Sequence, residues 1–394
     1  MNFIADDKSL IIQLEGRLYS ENAAEIGDEI RECIQEYPGL AVCLDLEKLN
    51  YISSSGLRVV LSLRKELGDK FRIINVIPEV YDVLDITGMT SLMEIRRKPR
   101  DVSVEGCEII GRGAFGTVYK LNGDTVIKVY EGGEEVLPGI EKEQQNAKQA
   151  FMCGLPTAIP FDIVKVGNKY GTVFEMINAR TCNDIICENL KHVDIMIPKY
   201  AEFLKQINTI EGVPSQLRNI RDKYIQYMGV IGPYLNKHVK GRITSLLMDM
   251  PDNHHLVHGD IQMKNVMVSG DELVLIDMDH LGEGDPVFEL GSLYATYIAF
   301  NEDEEDNSEK FLGLNKETCS RIFWETLNLY LPEMNDRKRQ ETICKIRIAG
   351  YLRFLKILLI EMAGVQNDLK DIRIRHTAEK LDDLVSRVRK LNIC

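Results

Sequence analysis

Long apolar runs, cysteine pairs at close spacing and an excess of basic residues are all absent from this sequence of 394 residues. No stretch approaches the ~20 apolar residues that a membrane-spanning helix needs. The formal net charge is −13, whereas nucleic acids and anionic membranes both select for clustered Lys and Arg. We therefore expect neither a nucleic acid nor a membrane as a partner.

The nine cysteines are odd in number, and none forms a C-x-x-C pair. Met1 is not followed by the basic segment and apolar run of a secretory leader. Both features predict reduced thiols and a cytoplasmic protein. Cys182 and Cys187 have no histidine at metal-ligand spacing, so we interpret them as inert thiols and not as zinc ligands.

Residues 1–95 alternate between strand and helix patterns. Leu10–Leu18 is typical of a strand, Ser20 is a plausible N-cap for the helix that follows, and Leu40–Leu46 is the near-continuous apolar run of a strand covered on both faces. The remaining elements are predicted near residues 57–67 (helix), 72–76 (strand), 80–86 (helix) and 92–95 (strand). This order predicts an α/β domain with helices packed on a sheet.

Residues 96–103 begin with a basic stretch that contains proline, and we predict a linker there. Residues 104–177 are β-rich with one helix near 140–151, and residues 178–394 are mostly helical. A small β-rich lobe followed by a larger helical lobe predicts an α+β bilobal fold over 104–394, with its N-lobe at 104–177 and its C-lobe at 178–394.

A glycine-rich motif lies at the start of the second region. Gly111, Gly113, Gly116 and Val118 form a G-x-G-x-x-G-x-V pattern. Dinucleotide-binding turns share its first six positions but open a helix, whereas this segment continues as a strand, as in a hairpin over ATP phosphates. The pattern therefore predicts a nucleotide-binding loop, with a plain hairpin as the alternative.

Lys128 follows in the strand pattern Val126-Ile-Lys128. In a kinase a lysine at this position contacts the α- and β-phosphates and is held by a glutamate of the next helix. Glu141 and Glu143 are both candidates, and we favour Glu143. A surface lysine in an edge strand is the other interpretation.

The most specific motif is H-x-D-x-x-x-x-N, formed by His258, Asp260 and Asn265, with Asp277 twelve residues after the asparagine. This spacing provides one carboxylate to accept a hydroxyl proton, and an amide and a second carboxylate to bind Mg²⁺. His258 is expected to brace the loop. Lys264 is a candidate for the transferred phosphate, or a solvent-facing side chain.

Residues 104–394 resemble the protein-kinase-like superfamily and, within it, the aminoglycoside phosphotransferase and choline kinase group. The resemblance is carried by His258-Gly-Asp260, by Ile276-Asp277-Met-Asp279 and by Asp285–Gly291, where Glu289 replaces the usual Asp. Glu289 lies only twelve residues after Asp277, which leaves no room for the activation loop of a protein kinase.

The resemblance implies an ATP- and Mg²⁺-dependent phosphotransferase acting on a hydroxyl of a small molecule. It implies Asp260 as the catalytic base, Asn265 and Asp277 as metal ligands, and a hinge that binds adenine at Glu175 and Ile177. A protein kinase and an ATP-binding signalling scaffold are the alternatives. The acidic tract Asn301–Asn307 suggests a cationic acceptor, although a solvated loop is the simpler interpretation.

Residues 1–95 resemble the STAS domain of anti-sigma-factor antagonists. The motif is Tyr51-Ile-Ser-Ser-Ser-Gly-Leu57, at a turn between strand and helix where those proteins read I-D-S-S-G-L. The resemblance implies a docking surface for a protein partner and Ser54 as a phosphorylation site, with Ser53 in place of the family's Asp. A phosphate there would meet free backbone N–H groups, and a serine N-cap is the other interpretation.

Overall fold

The computed structural model describes residues 1–6, 8–113, 116–210 and 217–393. They form two compact units, the first made of residues 1–103 with 164–167 and the second of residues 104–163 and 168–394. Ala114 and Phe115 of the glycine-rich motif lie outside the described residues. None of the described helices combines the length and apolarity that crossing a bilayer requires.

The first unit is built on one five-stranded sheet. Its strands are β1 (Asn2–Ala5), β2 (Ser9–Leu18), β3 (Ala41–Ile52), β4 (Phe71–Val76) and β5 (Glu94–Arg97), in that spatial order. The connecting helices are α1 (Ala23–Glu36), α2 (Ser54–Leu67) and α3 (Pro78–Ile86). β1 is antiparallel to β2, whereas β2 to β5 are parallel neighbours, each pair joined by a helix.

The apolar run in β3 explains why helices cover this sheet. Val42–Leu46 is buried at five consecutive positions, which requires apolar contacts on both faces. The predicted strand is confirmed and continues to Ile52. β5 includes Arg96 and Arg97 of the predicted linker, and a two-residue strand, β6 (Arg100–Asp101), follows.

The predicted cap at Ser20 is wrong, because α1 begins at Ala23 and is preceded by Asn22. The Asn22 side chain accepts a hydrogen bond from the Tyr19 N–H at 2.7 Å and donates one to the Arg17 carbonyl at 3.0 Å. These two bonds form a turn, so the helix begins only after it. The Ser20 hydroxyl instead accepts a hydrogen bond from Ser55 at the start of α2.

The N-terminal lobe of the second unit contains a sheet and one helix. Its elements are β7 (Glu108–Arg112), β8 (Gly116–Lys120), β9 (Thr125–Tyr130), α4 (Leu137–Met152), β10 (Pro160–Val166) and β11 (Lys169–Glu175), although the last three residues of β10 are grouped with the first unit. β7, β8, β9 and β11 are antiparallel neighbours in that order. The glycine-rich motif thus connects β7 to β8, and Lys128 lies in a central strand.

The C-terminal lobe is mostly helical, with short strands near its loops. It begins with β12 (Arg180–Thr181), α5 (Cys182–Glu188), α6 (Val193–Thr209), α7 (Ile220–Ile231), α8 (Lys237–Met248), β13 (Leu256–Val257), β14 (Val266–Ser269), β15 (Glu272–Leu275) and β16 (Gly282–Glu283). It continues with α9 (Val287–Tyr297), α10 (Asn307–Leu312), α11 (Lys316–Tyr330), α12 (Asp336–Lys356), a π-helical turn (Ile357–Glu361) and α13 (Asp368–Val385).

The core of this lobe surrounds α9, whose eleven residues are all buried. α12 packs against α9, and the β14–β15 hairpin pairs Val266 with Leu275. This pairing brings the end of the loop that contains Asp260 beside the turn that contains Asp277. The hydrophobic core thus fixes the two loops that carry the predicted catalytic and metal-binding residues.

Candidate active site

Lys128 lies at the centre of a charge cluster between the two lobes of the second unit. Its Nζ is 2.6 Å from Oε1 of Glu143 in α4 and 3.0 Å from Oδ1 of Asp277. The Glu143 side chain is only 2% exposed, and the Tyr130 hydroxyl donates to its other oxygen at 2.5 Å. Of the two glutamates considered from the sequence, Glu143 is therefore the one that contacts Lys128.

The pKa shifts in this cluster follow from burial and charge. Burial alone would lower the pKa of Lys128, but the carboxylates of Asp277 and Glu143 outweigh it and raise the pKa well above its usual value. Burial and repulsion from Glu143 raise the pKa of Asp279. Lys128 is thus positively charged, but its single charge does not balance the carboxylates around it.

The Asp277 turn has an unusual backbone that is held from α4. Asp277 adopts φ 66° and ψ 73°, the left-handed region that costs energy for a residue other than glycine and is often found at functional sites. The amide nitrogen of Asn146 donates to the Met278 carbonyl at 2.8 Å. Because Asn146 lies three residues after Glu143, α4 positions both the lysine partner and this turn.

Oxygen ligands suitable for a divalent cation meet at this turn. Carboxylate oxygens of Glu143, Asp277 and Asp279 lie within 4.8 Å of one another. Lys128 supplies one positive charge to these three carboxylates, so a divalent cation would correct the remaining imbalance. Hard oxygen donors with excess negative charge fit Mg²⁺.

Asp260 lies in the loop between β13 and β14 and is fixed by neighbouring amides. The amide nitrogens of Gln262 and Asn265 each lie 3.3 Å from its Oδ2, and Asn265 also donates to its carbonyl at 2.9 Å. This leaves the amide oxygen of Asn265 as a ligand atom. The Ile276 N–H donates to the Asn265 carbonyl at 3.0 Å, so Asn265 lies next to the Asp277 turn.

A buried carboxylate of α9 binds the backbone of the Asp260 loop. Glu289 of α9 accepts hydrogen bonds from the backbone N–H groups of His258 at 2.6 Å and Gly259 at 2.9 Å. Burial raises the pKa of Glu289 to about 7, against the effect of these two donors. Glu289 therefore anchors the loop.

His258 is completely buried, and burial lowers its pKa to about 4, so the imidazole is neutral at pH 7. Its Nε2 faces the Ile276 carbonyl at 3.3 Å, and its Nδ1 accepts from the Asp260 N–H at 3.3 Å. These contacts connect the two loops. They are the contacts of a side chain that braces the loop.

Asp260 has a cationic neighbour that no sequence motif predicts. Nη2 of Arg353, in α12, lies 3.4 Å from Oδ1 of Asp260. Burial raises the pKa of Asp260 to about 6, although the Arg353 charge opposes this rise. The carboxylate is therefore ionised at pH 7 and close to the range in which a base accepts a proton readily.

The three glycines of the β7–β8 motif differ in whether the fold leaves room for a side chain at their positions. A Cβ on Gly116 would lie 2.3 Å from the Val129 carbonyl oxygen, whereas one on Gly111 would only touch the Val118 side chain at 3.7 Å. A Cβ on Gly113 would meet no atom closer than 3.8 Å. Gly116 is therefore required for strand packing, while Gly111 and Gly113 are free to serve a ligand.

We expect Gly116→Ala to lower the free energy of unfolding by about 1–3 kcal/mol, because β8 and β9 must separate. Gly111→Ala is the matched control and should change it by less than ~1 kcal/mol. Thermal or urea unfolding measures both variants. Equal stability of the two would contradict the close approach at Gly116.

The predicted hinge follows β11. Glu175 is the last residue of β11, and the Glu175 N–H donates to the Ile159 carbonyl at 3.0 Å. The Ile177 carbonyl accepts from Ala179 at 2.9 Å, while no hydrogen bond from the Ile177 N–H occurs within the described residues. Lys264 donates to the Phe311 carbonyl at 3.0 Å and is half-buried.

The carboxylates of the acidic tract contact basic side chains of the chain itself. Glu302 pairs with Lys380 at 2.7 Å, and Glu304 pairs with both Lys310 and Arg373 at 2.9 and 3.0 Å. The other carboxylates contact His376 (from Asp303), Lys316 (from Glu305) and Lys310 (from Asp306). This pairing removes the physical reason to expect that the tract attracts a cationic acceptor.

The serine motif of the first unit places Ser53, not Ser54, at the helix cap. The Ser53 Oγ accepts from the Gly56 N–H at 3.2 Å, and Ser54 is the first residue of α2 with an exposed side chain. The interpretation of Ser54 as a plain N-cap is therefore wrong. Ser54 remains accessible for modification.

Comparison with known families decides the identity of the second unit. Residues 106–315, more than half of the chain, match the phosphotransferase enzyme family known as APH. The chain belongs to this family. Residues 2–102 match the STAS domain, so the phosphotransferase carries a STAS domain at its N-terminal side.

Two relatives match over the length of a STAS domain. BtrV of Bordetella bronchiseptica, a proposed anti-sigma factor antagonist, is 35% identical over 92 residues, which are 23% of this chain and 78% of BtrV. The anti-sigma F factor antagonist of Paenibacillus polymyxa is 30% identical over 89 residues, which are 22% of this chain and 76% of that protein. The STAS domain of the phosphotransferase belongs with these antagonists.

Solved structures similar to the phosphotransferase share little sequence with it. A choline/ethanolamine kinase family protein from Mesorhizobium loti is 17% identical over 71% of this chain and 90% of its own, with a TM-score of 0.48. The ADP-bound aminoglycoside phosphotransferase APH(2'')-Ib is 17% identical over 79% of this chain and 98% of its own, with a TM-score of 0.46.

Several residues of the site in the phosphotransferase were not predicted from the sequence. Tyr130 lies two residues after Lys128 and therefore on the same face of β9, and Asn146 lies three residues after Glu143 on α4, so periodicity offered a signal for both. Asp279 was part of the quoted motif. Arg353, 93 residues beyond Asp260, had no such signal.

Proposed function

We propose that the phosphotransferase domain transfers a phosphoryl group from ATP to the hydroxyl of a small molecule in the presence of Mg²⁺. The observation that carries this proposal is the proximity of two groups of residues. Asp260, oriented by Asn265 and Gln262, lies one backbone hydrogen bond away from the turn where Lys128 contacts Asp277.

In this proposal Asp260 accepts the proton of the acceptor hydroxyl as the oxygen attacks. Its amide neighbours fix the carboxylate before the substrate arrives, which is the positioning that phosphoryl transfer mainly demands. Arg353 keeps the carboxylate ionised, while burial brings its pKa to about 6. Both effects suit a base that works near neutral pH.

Asn265 and Asp277 are the proposed ligands of Mg²⁺, and the position of Asp279 adds a third oxygen donor. When bound, Mg²⁺ would neutralise charge on the phosphate oxygens. Lys128, held by Glu143, is proposed to contact the phosphates of ATP, and the loop of Gly111, Gly113, Gly116 and Val118 to cover them. Glu175 and Ile177 would bind adenine through backbone groups.

The proposal is tested by incubating the full chain with Mg-ATP and a library of hydroxylated metabolites, and by searching for a phosphorylated product with mass spectrometry. An increase of 80 Da in one library member, together with ADP formation, is expected. The product must be absent with the Asp260→Asn variant. ADP formation without any phosphorylated acceptor, or phosphorylation of the chain alone, would contradict a small-molecule acceptor.

We further propose that the STAS domain docks a protein partner and that phosphorylation of Ser54 tunes this contact. The exposed Ser54 side chain at the start of α2 and the similarity to anti-sigma factor antagonists support this proposal. A phosphate would add about −1.5 to −2 charges beside the N-terminus of a 14-residue helix. Arg58 lies four residues later, within reach of such a group on a helix.

Ser54→Asp and Ser54→Ala should shift partner capture or phosphotransferase activity in opposite directions, since only the first introduces negative charge. Quantitative pull-down and turnover assays measure both. Ser53→Ala is the matched control, because loss of the cap should cost about 0.5–2 kcal/mol of stability without adding charge. Wild-type behaviour of both Ser54 variants would contradict the regulatory role.

A further inference from the structure

Basic side chains gather near Asp260 and near the segment that follows Asp279. They are Lys142 of α4, Arg218, Lys223 of α7, and Arg353 and Lys356 of α12, and we call them the basic pocket. A chain with a net charge of −13 has concentrated positive charge beside its proposed catalytic base.

Arg353 brings the basic pocket into contact with Asp260. Its side chain is only 8% exposed, with Nη2 at 3.4 Å from Asp260 and Nη1 at 3.5 Å from Glu361. Its Nε is buried and makes no hydrogen bond within the described residues. A buried guanidinium with a donor to spare is suited to receive a further oxygen ligand.

Glu361 is the carboxylate that holds several of these cations together. It contacts Arg353, forms an ion pair with the 6% exposed Lys356, and lies 3.7 Å from Nε2 of His280. Glu361 is the last residue of the π-helical turn after α12, and such turns are frequent at functional sites. The turn thus directs a single carboxylate toward several cationic groups.

Lys223 lies in the same region and contacts no carboxylate among the residues that the structure describes. Its Nζ is 3.5 Å from the Leu281 carbonyl, and the neighbouring Glu283 N–H donates to the Arg218 carbonyl at 3.1 Å. Burial, together with repulsion from Lys142, Arg218, Lys356 and Arg353, lowers the pKa of Lys223 to about 7. The lysine is therefore close to losing its proton because positive charges crowd around it.

Lys142 approaches the same region from α4. It lies four residues before Asn146, whose side chain contacts the Met278 carbonyl, so it shares the helix face that packs on the 278–280 turn. Burial and repulsion from Arg218 lower the pKa of Lys142 as well. Among the described residues, Lys142, Arg218 and Lys223 form no ion pair.

Crowding of buried and half-buried cations, to which the exposed Arg218 adds its charge, destabilises a folded protein unless a ligand compensates for it. We propose that the basic pocket binds an oxyanion, a phosphate or carboxylate group, carried by the same acceptor whose hydroxyl faces Asp260. This inference rests on the proposed function and assigns the acceptor to the anionic hydroxylated small molecules. The charge of the site thus opposes the cationic acceptor that the acidic tract suggested.

The position of the pocket distinguishes this oxyanion from the phosphates of ATP. Lys128 contacts Glu143 and Asp277, which are the proposed nucleotide and metal side. Arg353 and Lys356 contact Asp260 and Glu361 on the side of the proposed base. An oxyanion bound there would lie beside the acceptor hydroxyl.

Inorganic phosphate tests the pocket without requiring turnover. At constant ionic strength, phosphate should raise the Tm of the full chain, and Lys223→Met or Lys356→Met should weaken its affinity at least ~10-fold, as expected for the loss of a buried charge partner. Lys223→Arg should retain phosphate binding, since the charge remains. Lys345→Met removes a partly buried lysine of α12 that lies outside the pocket and contacts the Asn392 carbonyl, so it is the matched control and should bind phosphate like the wild type.

Lys223→Met also has an expected effect on stability that a purely structural lysine would not show. The folded-state pKa of Lys223 lies below that of the unfolded chain, so its charge destabilises the fold at pH 7 and below. The variant should therefore have a higher Tm than the wild type without phosphate and a smaller gain with it. Within the described part of the chain the variant removes no ion pair, so it should still fold.

The acceptor class is tested with pairs of a neutral compound and its anionic counterpart, used as competitors or acceptors with Mg-ATP. The pairs are glycerol with glycerol 3-phosphate, ribose with ribose 5-phosphate, and propylene glycol with glycerate. The anionic member of each pair should bind at least ~10-fold more tightly, and Lys356→Met should remove this preference. Phosphate binding that is lost in Lys128→Met but kept in both pocket variants would overturn the proposal, as would equal binding within all pairs. Because the phosphate titration needs no catalysis, it decides this proposal even if no phosphoryl transfer is found.

Discussion

Replacing Asp260 with asparagine should lower kcat by ~10²-fold or more, because the variant cannot accept the acceptor proton. The dissociation constant of Mg-ATP should stay within about twofold of the wild-type value, since Lys128, Asn265 and Asp277 are unchanged. The asparagine retains one oxygen to accept from Gln262 or Asn265, so the loop should keep its position. Turnover and nucleotide titrations measure the two quantities separately.

The pH dependence provides an independent check of the same role. Burial raises the pKa of Asp260 to about 6, so the carboxylate becomes protonated as the pH falls through that value. Wild-type kcat/KM should therefore decline below about pH 6, while the residual kcat/KM of Asp260→Asn should lack this decline. Near-normal turnover of the variant would contradict Asp260 as the base.

Asp277→Ala should weaken Mg²⁺-dependent nucleotide binding at least ~10-fold, because it removes a proposed metal ligand. The loss should vanish when nucleotide binding is measured in EDTA. Calorimetric titration of ADP with and without Mg²⁺ makes this comparison. Metal-dependent binding that equals the wild type would contradict Asp277 as a ligand.

The backbone at Asp277 calls for a second variant. An alanine at φ 66° is strained, whereas asparagine tolerates this region about as well as aspartate does. Asp277→Asn thus removes the charge with little backbone strain. If Asp277→Ala loses nucleotide binding while Asp277→Asn keeps it in full, strain and not metal ligation is the cause.

The residues closest to the proposed chemistry were predictable because local spacing determines their positions. A fixed number of residues separates Asp260, Asn265 and Asp277, and the β14–β15 hairpin between them follows from a short apolar alternation. Lys128 could be found in the same way, since a strand directs alternate side chains to one face. The two-unit organisation likewise follows from the order of strand and helix patterns.

Other positions depend on packing that spacing does not determine. Glu141 and Glu143 differ by about 200° around α4, so only the placement of the helix decides which one meets Lys128. A shift of one residue likewise separates Ser53, which caps α2, from Ser54, which is exposed. Both distinctions require the tertiary structure.

The charges that bear on the acceptor were the least predictable. The acidic tract is conspicuous because its charges are contiguous, yet they pair with α10, α11 and α13. The basic pocket draws single residues from α4, α7 and α12, so no window of the sequence contains it. Contiguous charge is a poor guide to a pocket that is assembled from distant helices.

The contact between α9 and α12 has a consequence for how acceptor specificity can change. A Cβ on Gly291 would lie 2.9 Å from the backbone nitrogen of Gly350, so the two helices meet backbone to backbone. α9 carries Glu289 beneath the Asp260 loop, and α12 carries Arg353 to its side. Any larger residue at this junction would separate the anchor from the guanidinium. New acceptors are therefore expected to arise by substitution in α7 and the π-helical turn, while the α9–α12 junction stays invariant.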